Sequence, residues 1–543
     1  MIGYSNKKAE IHPRTVGLIL VLCILILLFF AYKVQAAEPA PAQEQEAVFE
    51  ISYIVIEGNT IFQRERLDEL MKGSLGPGKT SADVEKARDV LEKFYHDEGY
   101  PTVLVNIPEQ SVDGGVIRLQ VIESKIGKVA VNGNRYFSTE MILKRIPSFQ
   151  SGGIIFVPRV QQEIGKINRI PDLKVMPNMT PSREIGVVDV ELKVEDHRPL
   201  HGSLELNNRS TQSTTGLRLN GALHYDNFWQ RLHSISLQYQ TSPQKLNEVQ
   251  VVSGSYTLPA PWNDEQKLVL YGVWSDSQSA FGEGFKTVGK GNIVGARYML
   301  PLAPKDGYSH SFVCGLDYKD FEDTVNLDGV EASKSPISYL PWSFAYSSML
   351  QDGSGFTQFS AALNLAFRNL ASDQQEFADK RFKGNGNYIY LTLGVDRMQK
   401  LPAGFGLHVK ADGQISDQPL ISNEQFAAGG MESVRGYRES EKLGDSAFHG
   451  SVELSSPDLA SFSRYKEKAQ CIPYLFYDAA LLHLKNPLPA QRPDVVLQGA
   501  GFGVRGALMG NLEYQLDWGF ALEDTEAVKI GDSHGYFRVK YAF

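Results

Sequence analysis

The sequence predicts a β-barrel membrane protein, an antiparallel transmembrane barrel of about 16 strands preceded by two small α+β modules. Three observations predict this. From about Leu200 to Phe543, segment after segment alternates apolar and polar residues, with turn residues between. Upstream, a strand, a Gly-Asn pair, an aromatic and a helix recur in that order in two stretches, from Ile54 and from Val129. The sequence closes on GYFRVKYAF, an alternating strand that stops on an aromatic residue.

At the N-terminus, Lys7, Lys8 and Arg14 precede an unbroken apolar run from Val16 to Tyr32, and Val34-Gln35-Ala36 places small residues where a signal peptidase needs them. This reads as a secretory signal peptide over residues 1–36, removed after Ala36, with a retained anchor as the alternative. Residues 37–47 form a short, proline-interrupted linker. No later window approaches the ~20 apolar residues of a spanning helix. Export without a further helix leaves the periplasm, the outer membrane or the medium. The net charge of -9 and the lack of a basic stripe argue against nucleic acid as a partner. Cys23 leaves with the signal, and Cys314 and Cys471, too few for a metal set or a disulfide scaffold, read as isolated side chains, with a single bridge between them as the alternative.

The first module spans 48–124 and the second 125–197. IVIEGNTIFQRERLDELMK carries the Gly58-Asn59 turn and Phe62, and VAVNGNRYFSTEMILKRI carries Gly133-Asn134 and Phe137. Each module closes with an alternating strand, GVIRLQVIES from Gly115 or GVVDVELKVED from Gly186, so the unit is strand, helix, helix, strand, strand. Inside the first, GSLGPGKT (73–80) matches the phosphate-cradling pattern G-x-x-x-x-G-K-[ST]. That pattern holds phosphate only where a buried strand delivers the glycines, whereas RERLDELMK before it is charged and helically spaced. The stretch therefore reads as a helix C-cap at Gly73, a Gly-Pro-Gly turn and a second helix. Thr80 would cap that helix, with Val84, Ala87, Leu91, Phe94 and Tyr95 on one face. No nucleotide is expected. Gly99 ends the helix, and Tyr100-Pro101 begins the next strand. These features, with the run FYHDEGYP, resemble the polypeptide-transport-associated (POTRA) domain. The resemblance implies a periplasmic module that binds other polypeptides, in part by adding a strand to its sheet edge. A pair of spacers is the alternative.

In the barrel region (198–543), NLEYQLDWGF sets Leu512, Tyr514, Leu516, Trp518 and Phe520 against Asn511, Glu513, Gln515 and Asp517. HSISLQYQ, LRLNGALHY and GLHVKADG repeat the pattern, with Arg218, His224, His408, Lys410 and Asp412 on the polar side. Segments this long, this numerous and aromatic at their ends suit strands that face outer-membrane lipid outside and a wet lumen inside. In the last strand, Phe537, Val539, Tyr541 and Phe543 alternate with Arg538, Lys540 and Ala542. This terminal strand resembles the signal that outer-membrane barrels present to the barrel-assembly machinery. It also closes the barrel.

Between the eleventh and twelfth strands lies ISNEQFAAGGMESVRGYRESEKLGD, an extracellular loop if the first strand starts in the periplasm. Gly429-Gly430 and Val434-Arg435-Gly436-Tyr437 are unlike a solvated loop. Here the chain resembles the two-partner secretion transporters (TpsB type, haemolysin secretion/activation proteins), in the superfamily that also holds the barrel-assembly insertases. That resemblance implies a V-R-G-[FY] loop tip folded back into the lumen, its Arg435 paired with the Asp of an F-x-D-x-G motif. The matching run on the thirteenth strand is Phe476-Tyr477-Asp478-Ala479-Ala480, where Ala480 replaces the family's final glycine and its room for close backbone approach. Independently of the family, a guanidinium in a lumen needs a fixed carboxylate, and a bidentate Arg–Asp pair pins a loop directionally.

The resemblance implies a transporter whose POTRA pair captures an unfolded exoprotein and whose barrel passes it outward without ATP. An insertase for outer-membrane proteins is the alternative, although insertases usually carry more than two POTRA modules. A passive porin has no use for such modules. No nucleophile–base pair, metal set or paired carboxylate marks an enzyme, and no cofactor is expected.

Overall fold

The computed structural model describes residues 47–543 except 113, 278, 283–284, 289, 328–329 and 490, so the signal and nearly all of the linker lie outside the described residues. Two compact units form. One holds the chain through Ala130 with Ile146–Gly165 and Met176–Leu192, and the other holds Val131–Arg145, Lys166–Val175 and Lys193–Phe543. The second module is thus divided between them.

In the first module, Tyr53–Glu57 runs parallel beside Val116–Ile122, which pairs antiparallel with Leu104–Asn106. A parallel pair needs a crossover, and the helices Arg64–Met71 and Ser81–Asp97 supply it. Their faces put Leu67, Met71, Val84, Ala87, Leu91 and Tyr95 onto Ile54, Ile56, Ile117, Leu119 and Val121. The second helix opens on a capping box in which the Thr80 backbone N–H donates to Asp83 Oδ2 at 3.0 Å. That bond, with Lys86, holds the Asp83 carboxyl below its usual range. The helix ends at Gly99, at φ 99°, where the Gly99 and Tyr100 N–H groups donate to the carbonyls of His96 and Tyr95 at 3.0 and 2.9 Å.

GSLGPGKT (73–80) differs from its expected form. The first helix runs into a 3₁₀ turn, Lys72–Ser74, so Gly73 is no C-cap, and Gly76–Lys79 is a strand paired with Phe49–Ile51. Pairing with the segment before the first sheet strand competes successfully with a tight turn, because it satisfies backbone groups that a turn would leave to water. It also occupies the backbone that a phosphate cradle would need. The strand after Gly99 begins at Leu104, later than Tyr100-Pro101, which sit in a turn.

The repeated Gly-Asn pair has one physical cause in both modules. A Cβ on Gly58 would lie 2.2 Å from the Val121 carbonyl oxygen, and one on Gly133 would lie 2.3 Å from that of Val194. Asn59 Nδ2 then donates to the Phe62 carbonyl and Asn134 Nδ2 to that of Phe137, each at 2.8 Å. An acid at the end of the closing strand completes each turn. Glu123 accepts from the N–H groups of Thr60 and Ile61, and Asp196 from those of Arg135, Tyr136 and Phe137. In the second module Val187–Asp196 lies between Lys125–Asn132 and Leu173–Pro181, the same order as in the first.

From Leu200 the chain forms a closed antiparallel barrel of 16 strands in sequential order. Strand eight has two parts, Val330–Tyr339 and Pro341–Asp352, which pair with successive halves of strand seven, Tyr308–Leu327. The break falls at Leu340, beside a proline that has no N–H for the ladder. On strand fifteen, Leu512–Ala521, Leu516, Trp518 and Phe520 face outward while Asp517 is buried on the lumen side. Strand sixteen, Ser533–Ala542, closes on strand one, Leu200–Asn207, with Val539 opposite Leu206 and Tyr541 opposite Leu204. Phe537 lies opposite Leu516. Phe543 exchanges two backbone bonds with Gly202, at 3.0 and 2.9 Å, and lays its ring where a Cβ on Gly202 would go. Cys314 and Cys471 are both free thiols.

Candidate functional site

The loop from 417 to 445 connects strand eleven, Gly406–Ser416, to strand twelve, Ser446–Ser455. Part of it is a short ladder, Phe426–Ala428 with Lys442–Gly444. Its tip is no solvated turn. Val434 and Tyr437 are fully buried, and Arg435 is 3% exposed.

Arg435 meets the barrel wall on several sides. Nε donates to Asp478 Oδ2 at 2.7 Å and Nη2 to Oδ1 at 2.8 Å, a bidentate grip on strand thirteen, Ile472–His483. Nη1 donates to Glu453 Oε1 on strand twelve at 2.6 Å and lies 3.8 Å from Asp517 Oδ2. The guanidinium carbon is 3.5 Å from the centre of the Phe476 ring. Phe476 and Asp478 are two apart on one strand and so share its inner face, which lets one stack while the other grips. Burial alone would weaken the hold of Arg435 on its proton. Asp478, then Glu453 and Asp517, outweigh that effect and raise its pKa, so the charge persists.

Around Arg435 the motif is stitched by its backbone. The Gly436 N–H donates to the Tyr536 hydroxyl at 2.9 Å, and that hydroxyl donates to the Tyr437 carbonyl. The Tyr437 hydroxyl donates to the Glu523 carbonyl at 2.7 Å and accepts from the Glu523 N–H at 3.0 Å. The room lost at Ala480, which packs buried against Val434 and Tyr437, is found on two other strands. A Cβ on Gly499 would lie 1.8 Å from the Arg435 carbonyl oxygen, and one on Gly519 would lie 2.6 Å from the Gly436 nitrogen.

Sequence reasoning missed a second hold on the same loop. Glu424, 5% exposed, accepts from Lys319 Nζ at 2.6 Å, Tyr339 Oη at 2.6 Å and Tyr390 Oη at 2.7 Å, on strands seven, eight and ten. Asp445, at the loop's other end, accepts from the N–H groups of Leu420 and Lys485 at 2.9 and 2.7 Å. Arg209, between strands one and two, holds Glu432 and Glu439 at 2.7 and 2.9 Å. Glu424→Ala strands the Lys319 ammonium and is expected to raise the frequency of wide conductance steps in planar lipid bilayers several-fold. Unchanged traces would deny Glu424 a hold on the loop.

Beside the loop lies a cavity of about 550 Å³ whose lining includes Glu205, Arg209, Lys410, Asp412, Glu432, Arg538 and Lys540. Charges of both signs on an inner wall keep it wet.

Comparison with known proteins fits this geometry. The family model for haemolysin secretion/activation protein ShlB/FhaC/HecB matches residues 186–506, more than half of the chain, and the ShlB-type POTRA domain model matches 49–124. The outer membrane transporter CdiB of Dickeya dadantii is 23% identical over 78% of this chain and 75% of its own. The heme/hemopexin transporter protein HuxB of Haemophilus influenzae (strain ATCC 51907 / DSM 11121 / KW20 / Rd) is 18% identical over 87% of this chain and 83% of its own. The solved structure of CdiB from Escherichia coli covers 99% of this chain and 100% of that one, with a TM-score of 0.60 and 19% identity, a likeness of fold.

Proposed function

Because the chain belongs to the haemolysin secretion/activation protein family (ShlB/FhaC/HecB), we propose that it is the outer-membrane transporter of a two-partner secretion pair and exports a large exoprotein through its barrel. The observation that carries this reading is the family match, which takes in most of the barrel and the whole latched loop. The POTRA modules stand in the periplasm and capture the exoprotein while it is unfolded, offering sheet edges to an extended chain. Arg435, through Asp478 and Phe476, sets the loop's position in the lumen. Folding of the cargo outside makes passage directional, so no nucleotide or cofactor enters the cycle. The insertase reading loses ground, since the matched family is one of secretion and activation.

Deletion of this chain from its host, with comparison of the extracellular proteins, tests the function. One large polypeptide should vanish from the medium, accumulate or be degraded in the periplasm, and return on re-expression. An unchanged medium together with general loss of outer-membrane barrels would favour the insertase.

The assembly machinery is proposed to read Phe537, Val539, Tyr541 and Phe543. Deleting Phe543 removes the ring over Gly202 and the last bonds of the seam. Less heat-modifiable barrel should reach the outer membrane, and the molecules that arrive should export normally. Unchanged barrel levels would contradict this role.

A further inference from the structure

We propose that His201, His224 and Asp226 bind one divalent transition-metal ion of the zinc class at the periplasmic end of the first two barrel strands. The site is independent of the transport reading. Strand one, Leu200–Asn207, and strand two, Arg218–Phe228, run antiparallel with His224 directly opposite His201. Direct opposition brings side chains on one face into contact, and Asp226, two residues further on, returns to that face. The imidazole centres are 5.0 Å apart with planes inclined by 30°, and His224 Nε2 is 3.3 Å from Asp226 Oδ2. One ligand atom from each of the three residues lies within 4.8 Å of the others. Around a tetrahedral ion with bonds of ~2.0–2.2 Å, ligand atoms sit roughly 3.4 Å apart, so side-chain rotations moving them by about 1 Å complete the closure.

The surroundings are those of a ligand set. His201 Nε2 lies 2.6 Å from Asp172 Oδ2. A carboxylate only accepts, so this bond puts the proton on Nε2 and leaves the lone pair on Nδ1 free for a metal. Metal-binding imidazoles are commonly oriented in this way, by a carboxylate on the far ring nitrogen. Asp226 is oriented too, because the Ser234 hydroxyl donates to its Oδ1 and leaves Oδ2 on the side of His224. Elsewhere His483–Asp494 and His449–Asp412 pair a single imidazole with a carboxylate, and among the described residues only this cluster brings together three groups at metal-binding spacing. Two imidazoles and one carboxylate, with a fourth position for water, suit zinc, nickel or copper, whereas calcium and magnesium prefer oxygen. The ion would tie strand one to strand two beside the seam where Gly202 meets Phe543, and so stabilise the closed barrel by mass action.

The full chain, purified in detergent without a polyhistidine tag, is titrated with Co²⁺ while its visible ligand-field bands are followed, and the Co²⁺ is then displaced with Zn²⁺. We expect one ion per chain. His201→Ala and His224→Ala should each weaken binding by at least roughly tenfold, while His483→Ala leaves it unchanged. Heat-modifiable mobility shows which variants are folded. Should an alanine variant fail to assemble, His201→Gln or His224→Gln, which keep a polar side chain, are read the same way. Absence of stoichiometric binding, or unchanged affinity in folded variants lacking either imidazole, would overturn the site.

Discussion

Arg435→Ala is expected to cut export of the partner at least roughly tenfold and to leave the amount of folded barrel nearly normal. The guanidinium is buried and answers three carboxylates, on Asp478, Glu453 and Asp517. Without it, Glu453 still has Arg505 at 2.9 Å and His408 at 3.5 Å, but Asp478 and Asp517 have no other ion-pair partner among the described residues. Removing one partner of a buried pair costs ~3–5 kcal/mol, ample to release a loop. None of the 16 strand pairings runs through this loop, so assembly is spared. Asp478→Ala should be milder, because Glu453 and Asp517 remain with Arg435. Arg435→Lys should rescue little, since a point charge cannot span both Asp478 oxygens and stack on Phe476. The exchange Arg435→Asp with Asp478→Arg should fail as well, because the new loop carboxylate would face Glu453 and Asp517. Export assays beside heat-modifiable mobility measure all of these. Export at the unmutated level in Arg435→Ala would remove the loop from the mechanism.

Gly499→Val is expected to drive the loop out of its seat without touching a charge. The added Cβ would fall 1.8 Å from the Arg435 carbonyl oxygen, a backbone atom that no rotamer change can move aside. Valine itself suits a barrel strand, so Asp494–Leu508 should still form. Labelling of a cysteine at position 433 from outside the cell reads the outcome, in a chain whose Cys314 and Cys471 are changed to serine. The thiol should be protected when position 499 is glycine and should react several-fold faster when it is valine, with export falling in step. Equal labelling and equal export would mean that the loop does not depend on this seat.

Much of the architecture was legible because a barrel wall between lipid and water enforces strict alternation. The strand count of 16, the place of the loop between strands eleven and twelve and that of Asp478 on strand thirteen all follow from that period. The Gly-Asn turns were legible as a repeat, although their cause, a carbonyl from the last strand of each module, was not. Gly76–Lys79 was not legible as a strand, since Gly and Pro signal a turn and the partner that overrides them, Phe49–Ile51, lies well upstream in the chain. Glu424 gave no sign either. Its partners Lys319, Tyr339 and Tyr390 come from three strands, and only strand pairing together with the inward fold of the loop gathers them around it. One missed signal was available. In QGAGFGVRG the glycines at 499, 501 and 503 alternate on one face, a stripe without side chains on an inner wall, where something must come close.

The central claim is that an exported polypeptide passes through this lumen, past the latched loop. A photo-crosslinking amino acid at position 410, on the wall of the lumenal cavity, tests it in cells that are actively exporting. The account predicts an adduct between the barrel and the same large polypeptide that is recovered outside the cell. That adduct should be reduced in the Arg435→Ala background. Continued export with no lumenal adduct, or adducts formed only with precursors of other outer-membrane barrels, would contradict it.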